Sequence, residues 1–243
     1  RAYSQNERFY LYFQRQCIFQ ERNFMLRGAI WDLDGTILDS MSAWDHVGEI
    51  YLRSQGIEPE PDLNEIIATM SLQQAADYFI DYYGVKQTPD DLIKGAVAIV
   101  DDFYRYEAQL KPHAAKFLTQ LHQAGVKMCI ATAAERSLVE TVLTRCGVLH
   151  CFSEIFTCTS VGAGKDEPAI YREAMKFLGT DRSNTIVFED SLHALTTAKN
   201  DGFYVAAVYD EHEEHQDEIR RIVDCIITDY DNPEEFNKFI QGI

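Results

Sequence analysis

From Pro112 onward, short apolar runs alternate with longer amphipathic ones. The short runs are 126–131, 154–159, 185–189, 204–209 and 225–228, each of strand length and bounded by polar or turn-forming residues. Between them, 114–124, 135–145, 167–178 and 192–200 place apolar residues three and four apart, the spacing of a helix with one buried side. Such alternation predicts a parallel sheet with helices on both faces. A further apolar run, 27–32, reads as the first strand of the same sheet. The expected class is α/β, with a Rossmann-like parallel sheet core.

The stretch after that first strand does not alternate. Residues 41–55, 63–70, 72–83 and 89–109 all carry helical spacing, punctuated by Gly56, Pro59, Pro61, Gly84 and Pro89. Four helices with no strand between them predict a separate, inserted α-helical domain over 39–110. The core domain is then 25–38 together with 111–243. Residues 1–24 are aromatic and rich in Arg and Gln, with no clear period. They read as a leader outside the fold, either appended in cloning or a native aromatic extension docked on the domain.

A chain of 243 residues can bury a full core. Its formal net charge of −17 argues against nucleic acid or an anionic membrane as partner. An anionic substrate must then be held by a local group of cations or by a metal. The six cysteines form no C-x-x-C pair, which points to reduced, structural cysteines in a cytoplasmic protein. No heptad pattern is evident, and a monomer is expected.

The strand ends carry the chemistry. Ala29-Ile30-Trp31 leads into Asp32-Leu33-Asp34-Gly35-Thr36. Residues two apart on an extended chain point the same way, so Asp32 and Asp34 can face one site, and Gly35 permits a sharp turn. Thr132 ends the second strand of the sheet. Lys165 follows the third, and Glu189 and Asp190 close the fourth. In a parallel sheet these ends share one rim, where ligands bind.

Asp-Leu-Asp-Gly-Thr resembles the first motif of the haloacid dehalogenase-like superfamily, most of whose members are phosphatases. Thr132 resembles the second motif, Gly164-Lys165-Asp166-Glu167-Pro168-Ala169-Ile170-Tyr171 the third, and Phe188-Glu189-Asp190-Ser191 the fourth. The match covers 29 to about 209, and the helical insert resembles the cap of the first subclass. The resemblance implies an aspartyl-phosphate on Asp32, with Asp34 as general acid and base. It implies Mg²⁺ held by Asp32, Asp190 and the Asp34 carbonyl, with Glu189 either a ligand or one shell further out. Lys165 would offset the repulsion between nucleophile and phosphate. Thr132 and nearby backbone N–H groups, that of Ala133 among them, would bind the phosphoryl oxygens.

The details resemble the beta-phosphoglucomutase-like branch, with departures. Mutases of that branch carry a cap His where this chain has Trp44, and an Arg that is missing around Met70-Ser71-Leu72. Lys94 matches their cap lysine by its distance from Pro112. Trp44 and Lys94 are thus the cap's substrate-binding candidates. These departures favour a hydrolase of a small phosphorylated metabolite over a sugar-phosphate mutase. A non-catalytic aspartyl phospho-acceptor is the third reading, although it needs neither Asp34 nor an insert. His212 and His215 read as a solvated acidic helix face.

Overall fold

The computed structural model describes residues 25–67, 70 and 72–242, without the side chains of 42, 44, 45, 65 and 72. The leader expected over 1–24 lies outside the described residues. The chain divides into two compact units, one running to Asp39 and resuming at Gln109, the other Ser40–Ala108.

In chain order the strands are β1 (Gly28–Trp31), the short β2 (Leu38–Asp39) and β3 (Gln109–Leu110), β4 (Lys127–Thr132), β5 (Ile155–Thr157), β6 (Thr185–Glu189), β7 (Tyr204–Val208) and β8 (Cys225–Ile227). Six of them form one parallel sheet in the order β5-β4-β1-β6-β7-β8. Ile30 of β1 is level with Cys129 on one side and Val187 on the other. The strand order therefore reverses at β1, the place where a crevice opens beyond the strand ends.

The helices are α1 (Met41–Ser54), α2 (Leu63–Ile67), α3 (Leu72–Tyr83) and α4 (Pro89–Asp102) in the second unit. Those of the sheet unit are α5 (Ala114–Gln123), α6 (Arg136–Arg145), α7 (Cys158–Val161), α8 (Ala169–Leu178), α9 (Leu192–Asn200), α10 (Gln216–Ile222) and α11 (Glu234–Ile240).

The two-residue period of the strands sorts the core. Ile30, Cys129, Ala131, Val187, Val205 and Ala207 meet Ile170, Tyr171, Ala174 and Leu178 of α8 and Leu195 and Ala198 of α9. On the opposite face Trp31 and Phe188 bring in aromatic rings. Trp31 stacks on Phe188 at 3.7 Å and 7° between planes, and its edge contacts Phe117 of α5. Phe117 and Phe188 in turn contact Phe236 of α11. This continuous aromatic layer lies directly beneath the ends of β1 and β6.

The helical unit has its own core of Tyr51, Leu52, Leu63, Ala76, Phe79, Val85 and Leu92. Phe79 is core, while Tyr78 is only partly buried beside it. Thr88 starts α4 by accepting the Asp91 N–H at 3.2 Å, with Pro89 next in line. Gly95 faces the Tyr51 ring so closely that a methyl group there would collide with it.

Three expectations need correction. The run 154–159 is a strand only to Thr157. The Thr157 hydroxyl accepts the Ser160 N–H at 3.0 Å and the Ser160 hydroxyl meets the Thr157 N–H in return, so Cys158 begins a helix. The helix expected over 89–109 leaves α-helical geometry after Asp102 and passes through a wider turn at Phe103–Glu107. Gln109 and Leu110 then extend, because they pair antiparallel with Asp39 and Leu38. His212 and His215 precede α10 rather than lying on it. Each imidazole Nδ1 sits 2.8 Å from a carboxylate two residues earlier, Asp210 and Glu213 respectively.

Candidate active site

The site is built from the ends of parallel strands. The Asp32 N–H donates to the Phe188 carbonyl at 2.9 Å, which ties the first residue after β1 to β6. The chain then folds back at once: Ile37 and Leu38 both donate to the Leu33 carbonyl, at 2.9 and 2.8 Å. Gly35 makes this possible with φ +70°, a conformation that L side chains resist. Asp32 is left almost buried, 7% exposed, while Asp34 is half-buried just beyond it. β6 delivers Glu189 at its last position and Asp190 immediately after, both buried.

Lys165 reaches this group from the loop between α7 and α8. Its ammonium donates to Asp32 Oδ1 and to Glu189 Oε1, the latter at 2.6 Å, and its side chain is only 10% exposed. Glu189 Oε1 also receives the Tyr171 hydroxyl at 3.3 Å. Its other oxygen accepts the Asp190 N–H at 3.3 Å. Asp190 is oriented by the first motif, since Thr36 donates its hydroxyl to Asp190 Oδ1 at 3.2 Å. The Thr36 carbonyl in turn accepts the buried Tyr230 hydroxyl at 2.8 Å.

Three buried carboxylates facing one largely buried ammonium leave an excess of negative charge in the site. Burial first, and the charge of Glu189 second, push the Asp32 carboxyl up to about 6, with Lys165 pulling the other way. Burial, Asp32 and Glu189 hold Asp190 well above the usual carboxylate range. Burial also opposes the charge on Lys165, but Asp32 and Glu189 outweigh it and keep the ammonium protonated.

Asp32, Glu189 and Asp190 each present an oxygen within 4.8 Å of the others. Buried, hard-oxygen and electron-rich, this donor set fits a divalent cation. Within it Glu189 stands apart, because both its oxygens already accept protein donors. Asp34 is not part of the group.

Thr132 closes β4 on the same rim, is buried, and accepts the Ala134 N–H at 3.0 Å. Ala133 follows it, exposed. Trp44 and Lys94 belong to the helical unit. The Trp44 side chain is outside the described residues, and Lys94 is exposed on α4. Sequence reasoning missed Thr36, Tyr171 and Tyr230 as supports of the site. Thr36 and Tyr171 lie inside motifs that were in view, and their polar atoms were the available signal. Nothing near Tyr230 in the sequence marks it.

Residues 29–208 match the family model described as haloacid dehalogenase-like hydrolase. A validoxylamine A 7'-phosphate phosphatase from Streptomyces hygroscopicus subsp. limoneus is 26% identical over 194 residues, spanning 78% of this chain and 88% of the relative. Hexitol phosphatase B of Escherichia coli K12 is 22% identical over 176 residues, spanning 70% and 78%. In three dimensions, a beta-phosphoglucomutase-type protein from Thermotoga maritima shares the fold over 88% of this chain and 99% of its own, with TM-score 0.77 at 17% identity. The motif-bearing strands and the acidic rim thus lie within the matched span, and the chain belongs to the haloacid dehalogenase-like hydrolases.

Proposed function

We propose that this protein is a Mg²⁺-dependent phosphatase that hydrolyses a small phosphorylated metabolite through a phosphorylated Asp32. The observation that carries this reading is the Lys165 ammonium clasped between Asp32 and Glu189 among buried carboxylates. A carboxylate held against a fixed cation can approach an anionic phosphate that it would otherwise repel.

Asp32 attacks phosphorus, the bond to the ester oxygen breaks, and Asp34 gives that oxygen its proton. Asp34 then removes a proton from water, the water attacks the same phosphorus, and phosphate leaves as the Asp32 carboxylate is restored. Lys165 stays bound to Asp32 and meets a phosphoryl oxygen. Thr132 accepts from Ala134 and so directs its own O–H to another. Asp32, Asp190 and the Asp34 carbonyl would hold Mg²⁺, which would supply further positive charge against the approach of anion to anion.

In this reading residues 25–38 and 111–243 carry the chemistry. The insert 39–110 selects the leaving group, with Trp44 and Lys94 as candidate contacts. The net charge of −17 disfavours nucleic acid as substrate. No described helix is long and apolar enough to cross a membrane. The described cysteines are free, which fits a cytoplasmic setting, and the protein acts as a monomer.

The test is phosphate release from hexitol, sugar, nucleoside and short-acid monophosphates, with Mg²⁺ and with EDTA. Asp32→Asn is the control. Release that needs Mg²⁺ and disappears in Asp32→Asn is expected. No release from any ester by the folded, metal-loaded protein refutes the reading.

A further inference from the structure

Tyr171 has no part in the chemistry above, yet its hydroxyl ends inside the site. It is the third residue of α8, within the first turn after the loop that carries Lys165. The side chain is 1% exposed, and its ring meets Phe203 edge-on at 6.3 Å. Packing alone therefore accounts for the ring. It does not account for the hydroxyl, which is directed at Glu189 Oε1.

That oxygen is the one that also receives Lys165. A carboxylate oxygen offers two lone pairs, so Lys165 and Tyr171 together fill Oε1, and the Asp190 N–H occupies Oε2. Glu189 is thus held by donors from α8, from the Lys165 loop and from its own strand end. Lys165 lacks this definition. An ammonium is a point charge with rotatable donors on a flexible stem, and its direction is set by the carboxylates it meets. One of these is Asp32. The other is Glu189, whose rotamer the Tyr171 hydroxyl helps to fix.

We propose that Tyr171 is a positioning residue: its hydroxyl pins Glu189 Oε1, and Glu189 so pinned holds the Lys165 ammonium against Asp32. The kinetic consequence rests on the phosphatase reading given above; the placement of Lys165 does not. A purely structural hydroxyl would satisfy a buried carboxylate and influence stability only.

Tyr171→Phe separates the two roles, because it removes one oxygen and keeps the ring. The first measurement is steady-state phosphate release with saturating Mg²⁺. The expected result is a kcat lower by about tenfold, from the loss of a hydrogen bond to a charged group, with KM within about twofold. The second measurement needs no substrate. The buried, hydrogen-bonded Lys165 ammonium is observed by ¹⁵N–¹H correlation NMR and assigned by its disappearance in Lys165→Met. In Tyr171→Phe this resonance is expected to shift and broaden, while the backbone amide spectrum outside the site is unchanged. Should Tyr171→Phe not fold, 3-fluorotyrosine, a stronger donor of nearly the same shape, is expected to move the resonance without broadening it.

An unmoved ammonium resonance overturns the proposal, as does an unchanged kcat in an active protein or a rise confined to KM. A wild-type protein that releases no phosphate from any ester refutes the phosphatase reading instead, and the NMR comparison still decides the role of Tyr171.

Discussion

Replacing the nucleophile should stabilise the metal-free protein while destroying its activity. Burial and the charge of Glu189 raise the Asp32 carboxyl to about 6 in the folded chain, from an ordinary aspartate value of 3.8. A displacement of that size holds about 3 kcal/mol against the charged form. The sign follows from proton counting. Between 3.8 and about 6 the folded state keeps a proton that the unfolded chain has lost, so stability falls as pH rises through this window. Above about 6 the loss is complete. Asn at position 32 has the shape of the neutral acid and carries no charge, so Asp32→Asn escapes the loss. In EDTA at pH 7.5 its thermal midpoint should exceed that of the wild type by up to about 6–12 °C, at about 2–4 °C per kcal/mol for a chain of this size. The gap should narrow steadily as the pH is lowered towards 4. Adding Mg²⁺ should favour the wild type, whose charge the cation neutralises. Scanning calorimetry of both proteins across pH 4–8 is the assay. A wild type more stable than Asp32→Asn in EDTA at neutral pH, or a gap that ignores pH, would refute the electrostatic reasoning.

Mg²⁺ should raise the wild-type midpoint more at pH 7.5 than at pH 5.5, since protons compete for Asp32 and Asp190; a differential scan at both values checks this. Lys165→Met should lower kcat by about 100-fold or more in steady-state assays, because two buried carboxylates lose their shared cation. His113 holds φ +65°, alone in this among the described non-glycine residues. His113→Gly should therefore stabilise the protein by about 1 kcal/mol, read as a rise of about 2–4 °C in the midpoint.

Much of the sheet and part of the site were legible in advance. The run 185–189 becomes β6 at those same residues, and 72–83 and 192–200 become α3 and α9. In these stretches the local period and the tertiary environment agree. The failures came where a neighbour in space outweighed the period. Gln109 continues the helical pattern, but pairing with Asp39 draws it into β3. Cys158 continues an apolar run, but the cap between Thr157 and Ser160 turns the chain. His212 and His215 fit an amphipathic face, but each bonds to a nearer carboxylate.

The site divides in the same way. The sequence by itself determined that Asp32 would stand at the end of the first strand, where it is the residue directly after β1, that Gly35 would turn the chain after it, and that Thr132, Lys165, Glu189 and Asp190 would lie on the same rim. Those outcomes depend on local periodicity and on the parallel direction of the strands. Only the tertiary structure decided that Glu189 spends its oxygens on Lys165, Tyr171 and a backbone N–H, and that Thr36 orients Asp190 across 154 residues of chain. It also decided that Tyr230 secures Thr36 from 194 residues away. A hydrogen bond forms only within a few tenths of an ångström of its proper length, and the packing of remote elements sets that distance.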